Sequence, residues 1–154
     1  MNSIKLTFIT FLSAFILNST IISVAQAEGG KLLRAAVAVD QDTEPTNHFS
    51  ADTPKIYAFY LGEALKAGDK LRGVWIAEDV GTAAPKNTKI DEASIIAKSA
   101  TDKGAFSLSK PDKGWPTGNY RIEIYVGEKL ADTVKFKISS EDDDDDEEGG
   151  QEEE

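Results

Sequence analysis

Residues 118–138, GNYRIEIYVGEKLADTVKFKI, contain the clearest strand pattern of this chain. Hydrophobic side chains occupy every second position from 120 to 126 and again from 134 to 138, which predicts two half-buried strands. Gly127 and Glu128 lie between these strands, and a glycine at the first position of a two-residue link is typical of a type II′ turn. The stretch therefore predicts an antiparallel β-hairpin.

Four further segments have the composition of strands, namely residues 33–39, 55–61, 70–76 and 105–109. The first and the last of them alternate, which predicts one buried face each. Segment 55–61 (KIYAFYL) is rich in aromatic and branched residues, which indicates burial on both faces. Because turn signals separate the segments, about seven short strands in roughly a hundred residues predict an all-β fold, an immunoglobulin-like antiparallel β-sandwich.

Residues 91–100 (DEASIIAKSA) are ambiguous. Asp91 can cap one or two turns of helix. The same residues can instead form an irregular edge strand, so both alternatives stand.

Trp75, Gly118 and Tyr120 carry structural predictions. Trp75 lies on the third predicted strand, where immunoglobulin-like domains bury a tryptophan between their sheets. Tyr120 follows Gly118 at the start of the penultimate strand, which is the position of a tyrosine corner, whose hydroxyl binds backbone across the turn. Ile122 stands where antibody domains carry their second cysteine, so we expect apolar packing in place of a disulfide.

Four patterns carry a resemblance to a known group of proteins: residues 49–57 (FSADTPKIY), 68–75 (GDKLRGVW), 106–109 (FSLS) and 114–120 (GWPTGNY). Together they span about residues 45–138, and they resemble a group of bacterial exported proteins with an immunoglobulin-like domain. The resemblance implies the sandwich fold and export, and it implies no particular activity. The acidic C-terminus is an addition to the pattern.

Residues 1–27 have the order of a secretory signal peptide. Lys5 precedes the apolar run 6–17, and small and polar residues then lead to an A-x-A exit, so we expect cleavage between Ala27 and Glu28. The alternative, a membrane anchor, needs about 20 apolar residues. We therefore expect a mature protein without a stable membrane anchor, either periplasmic or secreted to the medium.

The formal net charge of −10 is concentrated at the C-terminus. Residues 28–140, the predicted sandwich domain, contain 16 basic and 16 acidic residues, whereas residues 141–154 contain 11 acidic residues and no basic one. Since this tail has no apolar residue and its charges repel one another, we expect it to be disordered. A neutral domain with a polyanionic tail is not expected to bind nucleic acid.

The acidic tail has two possible roles besides solubility. It can attract a basic surface of another exported protein. It can also bind divalent cations such as Ca²⁺ weakly, because carboxylates are the ligands that Ca²⁺ prefers, whereas a tight site needs a turn glycine and spaced ligands. The weak metal-ligand candidates are five consecutive aspartates, Asp142, Asp143, Asp144, Asp145 and Asp146.

No catalytic constellation is present in the sequence. Cysteine is absent, which excludes thiol catalysis and thiolate metal sites. His48, the one histidine, lies in a polar segment and is interpreted as a solvated loop residue. The paired carboxylates 78–79 and 91–92 are interpreted as polar loop ends, because neighbours in a strand point to opposite faces. We expect no enzyme and no cofactor.

Aromatic side chains are the remaining binding candidates. Trp115 either caps one end of the sandwich or stands exposed as a ligand platform. Tyr125 points away from the core face and, with Tyr57 or Tyr60, is a candidate for a protein or glycan contact. The sequence thus predicts a non-enzymatic exported binding or accessory module that contacts other proteins, and the alternative is low-affinity cation binding through the tail.

Overall fold

A computed structural model of the chain describes residues 30–140, so the predicted signal peptide, its cleavage junction Ala27–Glu28 and the tail 141–154 lie outside the described residues. The described part contains eight strands. They are β1 (Leu33–Ala38), β2 (His48–Ser50), β3 (Lys55–Gly62), β4 (Lys70–Asp79), β5 (Thr88–Ile96), β6 (Lys103–Ser109), β7 (Gly118–Val126) and β8 (Lys129–Ser139). Within residues 30–140, no helix has the length and apolar character needed to cross a membrane.

The strands form two sheets, one of three strands in the order β1-β3-β6 and one of five strands in the order β2-β8-β7-β4-β5. Every pairing is antiparallel except that of β2 with β8. The sequence predicts about seven strands, and the additional one is β2, which has only three residues and therefore leaves too short a pattern to recognise.

The β7–β8 hairpin has the predicted two-residue link, and its register shifts once, between Ile124 and Tyr125. Val126 is opposite Lys129, which leaves a two-residue link, and Gly127 in that link has φ +60°. Positive φ is readily adopted by glycine, and the turn that Gly127 permits connects β7 to β8. The hairpin prediction is confirmed.

Trp75 belongs to a buried aromatic cluster whose central ring is Phe136. Its side chain is 1 % exposed, and its ring packs edge-on against Phe136 with centroids 6.0 Å apart. Phe136 in turn stacks on Tyr120 at 5.5 Å and meets Phe49 edge-on at the same distance. Ile122, directly opposite Trp75 on β7, is fully buried, so apolar packing occupies the place of a disulfide.

The turn before β7 holds the tyrosine corner. The Tyr120 hydroxyl donates a hydrogen bond of 2.5 Å to the carbonyl oxygen of Pro116, four residues earlier. Burial raises the pKa of this hydroxyl to about 12, so it remains a donor at every physiological pH. Gly118 has φ +146°, and a Cβ there would lie 2.3 Å from the carbonyl oxygen of Asp79, so this position requires glycine.

The ambiguous residues 91–100 fall largely in β5, so the helix alternative is wrong. β5 is an edge strand that pairs only with β4, and its register shifts between Trp75 and Ile76, where β5 has one extra residue, Ile90. Almost all of its side chains are exposed. Pairing with the buried strand β4 outweighs the weak local preference of residues 91–100 for helix or strand. The sequence alone therefore leaves the choice between helix and strand open.

β3 is buried on one face only, which corrects the prediction of burial on both faces. Ile56, Ala58 and Tyr60 point inward and are buried, whereas Tyr57 and Phe59 point outward and remain partly exposed. The three-stranded sheet has no further layer of described residues over its outer side, so these outward rings meet solvent.

Candidate binding face

The outer side of the three-stranded sheet presents an unusual set of side chains. Phe59 on β3 lies directly opposite Ala36 on β1 and Ala105 on β6, and residues in this relation share a face. Tyr57 and Leu61 precede and follow Phe59 on the same face because side chains in a strand alternate. We call these five residues the aromatic face.

The two rings of the aromatic face form a stacked pair. The centroids of Tyr57 and Phe59 are 5.7 Å apart and their planes differ by 20°. The Lys55 ammonium lies 5.8 Å from the centroid of the Tyr57 ring, within the range of a cation–π contact. The rings therefore hold one another in place and form a rigid surface with little rotamer entropy to lose on binding.

The aromatic face borders an open depression of about 960 Å³. Ala36 and Ala105 flank Phe59 and have short side chains, so the Phe59 ring extends further from the sheet than its neighbours on either side. The charged residues Arg34, Asp42 and Lys103 also line the depression. An apolar floor with charged residues at its rim is the arrangement found in protein–protein interfaces.

Leu61 extends the aromatic face towards the end of β3. Its side chain is 45 % exposed, although it lies beside Arg34 and Lys103 in the register. A sandwich face that meets only water normally alternates polar residues outward. The outward row of β3 instead reads Tyr57, Phe59, Leu61, with the first two side chains partly exposed and the third exposed.

Tyr125 lies on the other sheet, so the structure does not bring it together with Tyr57 or Tyr60. Its ring packs under the guanidinium of Arg72, 4.5 Å from its centroid. Its hydroxyl donates a 2.6 Å hydrogen bond to Glu123. Tyr60 points into the core and is 3 % exposed. The predicted shared contact surface of these tyrosines is therefore corrected.

Glu123 and Arg121 form the centre of a charged network on the outer side of the five-stranded sheet. Arg121 donates to Glu123 at 2.7 Å and to Glu78 at 3.1 Å, and Lys135 also pairs with Glu78. Burial raises the pKa of Glu123, but the hydrogen bonds from Tyr125 and Arg121 outweigh burial and lower this pKa below its ordinary value. These charges pair with one another, so the network is chiefly structural.

Glu123→Gln should reduce the acid sensitivity of the fold. Because the pKa of Glu123 is lower in the folded protein, its ion pair stabilises above the unfolded pKa and is lost as the pH falls through the folded pKa. The wild-type protein should therefore lose more stability than the variant between about pH 5 and about pH 3. Urea unfolding at a series of pH values measures this difference. Glu128→Gln, an exposed acid in the β7–β8 link, is the matched control, and identical slopes for all three proteins would contradict the prediction.

Trp115 is buried at one end of the sandwich. Its indole nitrogen donates a 2.6 Å hydrogen bond to the carbonyl oxygen of Thr53, and its ring meets Tyr120 edge-on at 6.3 Å. This placement is that of the capping alternative, because a ligand platform would need an exposed ring. Sequence reasoning named Tyr57 as a contact candidate but missed Phe59 and Leu61, although the outward row of residues 57, 59 and 61 was a visible signal.

The remaining candidates do not form a site. His48 is the first residue of β2 and is exposed, with its ring nitrogen 2.8 Å from the side-chain oxygen of Asn47. Residues 78–79 end β4 and residues 91–92 lie within β5, so both carboxylate pairs belong to strands rather than to loop ends. Among residues 30–140, no group of three histidine or acidic side chains could hold a metal ion. Asp142–Asp146 lie outside the described residues.

Neither a protein-family model nor a curated protein matches the sequence. Among solved structures, an immunoglobulin-like protein from Pseudomonas aeruginosa is similar at 18 % identity and TM-score 0.44, over 70 % of this chain and 91 % of that one. A β-glucosidase from Listeria innocua is similar at 6 % identity and TM-score 0.44, over 72 % of this chain and 16 % of that one. An alkylpurine DNA glycosylase from Pseudomonas fluorescens has 12 % identity and TM-score 0.41, over 72 % and 31 %.

The two-sheet topology, the buried Trp75 and the Tyr120 corner define the class of this protein. It is an all-β, immunoglobulin-like β-sandwich. Because unrelated functions share this architecture, function must be argued from the aromatic face rather than from the fold.

Proposed function

We propose that this protein is an exported, non-enzymatic accessory module that binds another protein through the aromatic face. The observation that carries the proposal is the stacked Tyr57–Phe59 pair on an outer sheet surface. Aromatic residues held rigidly in such a position act as anchors, because they bury a large area and lose little side-chain entropy. The sandwich supplies a stable scaffold for them.

The charges around the aromatic face favour a protein partner with acidic groups at the edge of an apolar patch. Lys55 lies at one end of the outward row of β3, and Arg34 and Lys103 lie at the other. Arg34 already pairs with Glu63, which leaves Lys103 and Lys55 to meet carboxylates of the partner. Rim charges of this kind set orientation and association rate more than affinity.

Export of the module is supported by the order of residues 1–27, and the absence of cysteine permits folding in either redox environment. A non-enzymatic role is supported by the described charged side chains of the large sheet, because Arg121, Glu78 and Glu123 neutralise one another. Since general acid–base catalysis needs a group free to exchange a proton with a substrate, this network is a poor catalytic centre.

Position-specific photo-crosslinking in living bacteria tests the proposed function. A photoreactive aromatic amino acid replaces Phe59 in the full chain, and a second strain carries it in place of Tyr125 on the opposite sheet. We expect discrete protein adducts in the exported fraction from position 59 and none from position 125. Adding Leu61→Lys to the position-59 strain should abolish these adducts, because a charge on the floor of the face opposes apolar contact.

Two results would contradict the proposed function. Equal adducts from positions 59 and 125 would mean nonspecific contact, and the absence of adducts from position 59 would mean that the aromatic face is not used. The folding of each strain's protein is verified by thermal unfolding of the purified chain. Leu61 is largely exposed, so Leu61→Lys should leave the unfolding temperature nearly unchanged.

A further inference from the structure

The edges of the two sheets differ in how they are protected. A sheet edge exposes unpaired backbone groups that can pair with another chain, and proteins blunt such edges with charges, bulges, short strands or covering loops. The edge strands are β1 and β6 in the small sheet and β2 and β5 in the large sheet. Three of these four edges carry a recognisable protection.

The β1 edge is closed by hydrogen bonds from outside its sheet. The Ala35 amide donates to the Asp132 carboxylate of β8 at 2.9 Å. The Val37 carbonyl accepts a bond from the Thr46 amide, also at 2.9 Å. β2 has only three residues, so it offers no template of useful length. This side of the sandwich is therefore sealed.

The β5 edge is protected by its own sequence. Lys89, Asp91 and Glu92 place three charged side chains in its first half. The extra residue Ile90 forms a bulge that interrupts the ladder with β4. Both features oppose the addition of a further strand.

The β6 edge has one charged residue, Lys103 at its first position, and is otherwise unprotected. β6 pairs only with β3, in an uninterrupted register from Lys55–Ser109 to Leu61–Lys103. Residues 104–109 (GAFSLS) contain no charge and no proline. Within the described residues, this is the one sheet edge that combines useful length with neither a bulge nor a cap.

β5 extends past β6 on the inner side of this edge. Gly73 on β4 faces the Phe106 ring of β6 so closely that a Cβ would approach it to 2.7 Å, which places β6 over β4. β5 is the next strand beyond β4, so it projects past the small sheet. Its inward row, which we call the shelf, consists of Asp91, Ala93 and Ile95, because these residues lie opposite the buried positions of β4.

We propose that β6 binds an extended peptide segment of a partner protein as a fourth strand of the small sheet, lying over the shelf. Backbone pairing with β6 would supply affinity, and contacts of the shelf with every second side chain of the peptide would supply specificity. Asp91 and Ala93 are exposed and Ile95 is partly exposed, so they have room for inward side chains. The proposal rests on the β6 edge and the shelf, although β6 also contributes Ala105 to the aromatic face and Lys103 to its rim.

Because of the shelf, β6 can pair with a single peptide strand but not with the β6 strand of a second copy of this chain. If two copies paired through β6, each would bring its own large sheet into the space beneath the other's edge strand. β5 already occupies that space, so the two large sheets would collide. A single extended peptide brings no second layer and fits. The chain's own residues 141–154 are unsuitable because they have no apolar side chain for the inward row.

The charges of the shelf define the peptide further. Asp91 is the one charged residue of the shelf, and its described contact is with the neighbouring backbone amide of Glu92. It therefore favours a basic side chain in the inward row, followed by two apolar ones over Ala93 and Ile95. Lys103 at the start of β6 faces outward and favours an acidic residue there. The matching chemistry is Lys-Thr-Val-Thr-Val-Glu, running antiparallel to β6.

A fluorescent, end-capped peptide of that sequence tests the proposal by anisotropy titration of the full chain. We expect saturable binding to the wild-type chain. Ala93→Glu should lower the affinity at least tenfold, because it fills the shelf with bulk and an added charge, whereas Ser94→Glu should change the affinity less than twofold. Ala93 and Ser94 are neighbours and both exposed, but they point to opposite faces of β5. They are therefore a matched pair.

Backbone pairing is tested separately with a fully N-methylated peptide of the same sequence, which cannot donate to β6 and should not bind. Amide exchange of residues 104–109 in the wild-type chain should slow on addition of the unmodified peptide, and this measurement does not depend on a variant. No saturable binding, equal losses in the two variants, binding of the methylated peptide or unchanged exchange would each overturn the proposal.

Discussion

Trp75→Ala should lower the free energy of unfolding by about 3–5 kcal/mol, the range for emptying a large buried aromatic site. The indole is 1 % exposed and packs against Phe136, so its removal leaves a cavity between the two sheets. The chain has no cysteine. No disulfide therefore adds stability by restricting the unfolded chain. For a domain of this size, such a loss consumes a large share of the total stability.

Urea denaturation followed by far-ultraviolet circular dichroism measures the effect of Trp75→Ala. Ile96→Ala is the matched control, because Ile96 lies on an edge strand and is 56 % exposed. The control should change stability by no more than about 0.5 kcal/mol. A loss below about 1 kcal/mol for Trp75→Ala would contradict the buried position of this residue.

Gly118→Ala should destabilise the fold by about 2–4 kcal/mol, since it combines backbone strain with a steric clash. Gly118 has φ +146°, a conformation that residues with a side chain rarely adopt. A Cβ would also lie 2.3 Å from the Asp79 carbonyl oxygen and 2.9 Å from the Val80 Cα, both of them backbone atoms that cannot rotate away. The substitution must therefore displace the start of β7, where Tyr120 makes its corner bond.

Gly114→Ala separates the two causes of this effect. Gly114 lies in the same turn and also has positive φ, +83°, but a Cβ there meets nothing within 4 Å. It should cost about 1 kcal/mol from backbone strain alone. Thermal unfolding of both variants gives the comparison. If the two substitutions cost the same, the contact with Asp79 has no energetic weight and the predicted clash is wrong.

The strands of the hairpin and the burial of the core could be predicted because they depend on local alternation. Tyr120, Ile122 and Ile124 are buried where the period of two places them. Phe106 and Leu108 are likewise buried on one face of β6. A half-buried strand leaves this signature in the sequence whatever its neighbours are. The tyrosine corner was equally accessible, because its hydroxyl bond spans only four residues.

The exposure of the aromatic face could not be predicted because it depends on how many layers the fold has. Residues 55–61 are apolar on both sides, a pattern that equally fits a strand covered on two faces. The described strands form only two sheets, so the outward rings of Tyr57 and Phe59 are left without a covering layer of described residues. No local period encodes the number of layers.

The alternating strands and the glycine and tyrosine of the corner could be read from the sequence, because they follow from a period of two or from contacts within a few residues. The burial of Trp75 could be read from its place on the third strand of an immunoglobulin-like pattern. The two-layer arrangement, which leaves the aromatic face exposed, and the unequal width of the two sheets, which leaves β5 projecting beyond β6, are visible only in the folded chain. The physical reason is that sheet order arises from pairings between distant segments, such as β3 with β6 and β4 with β7. Such pairings are selected by the packing of the whole core rather than by local propensity.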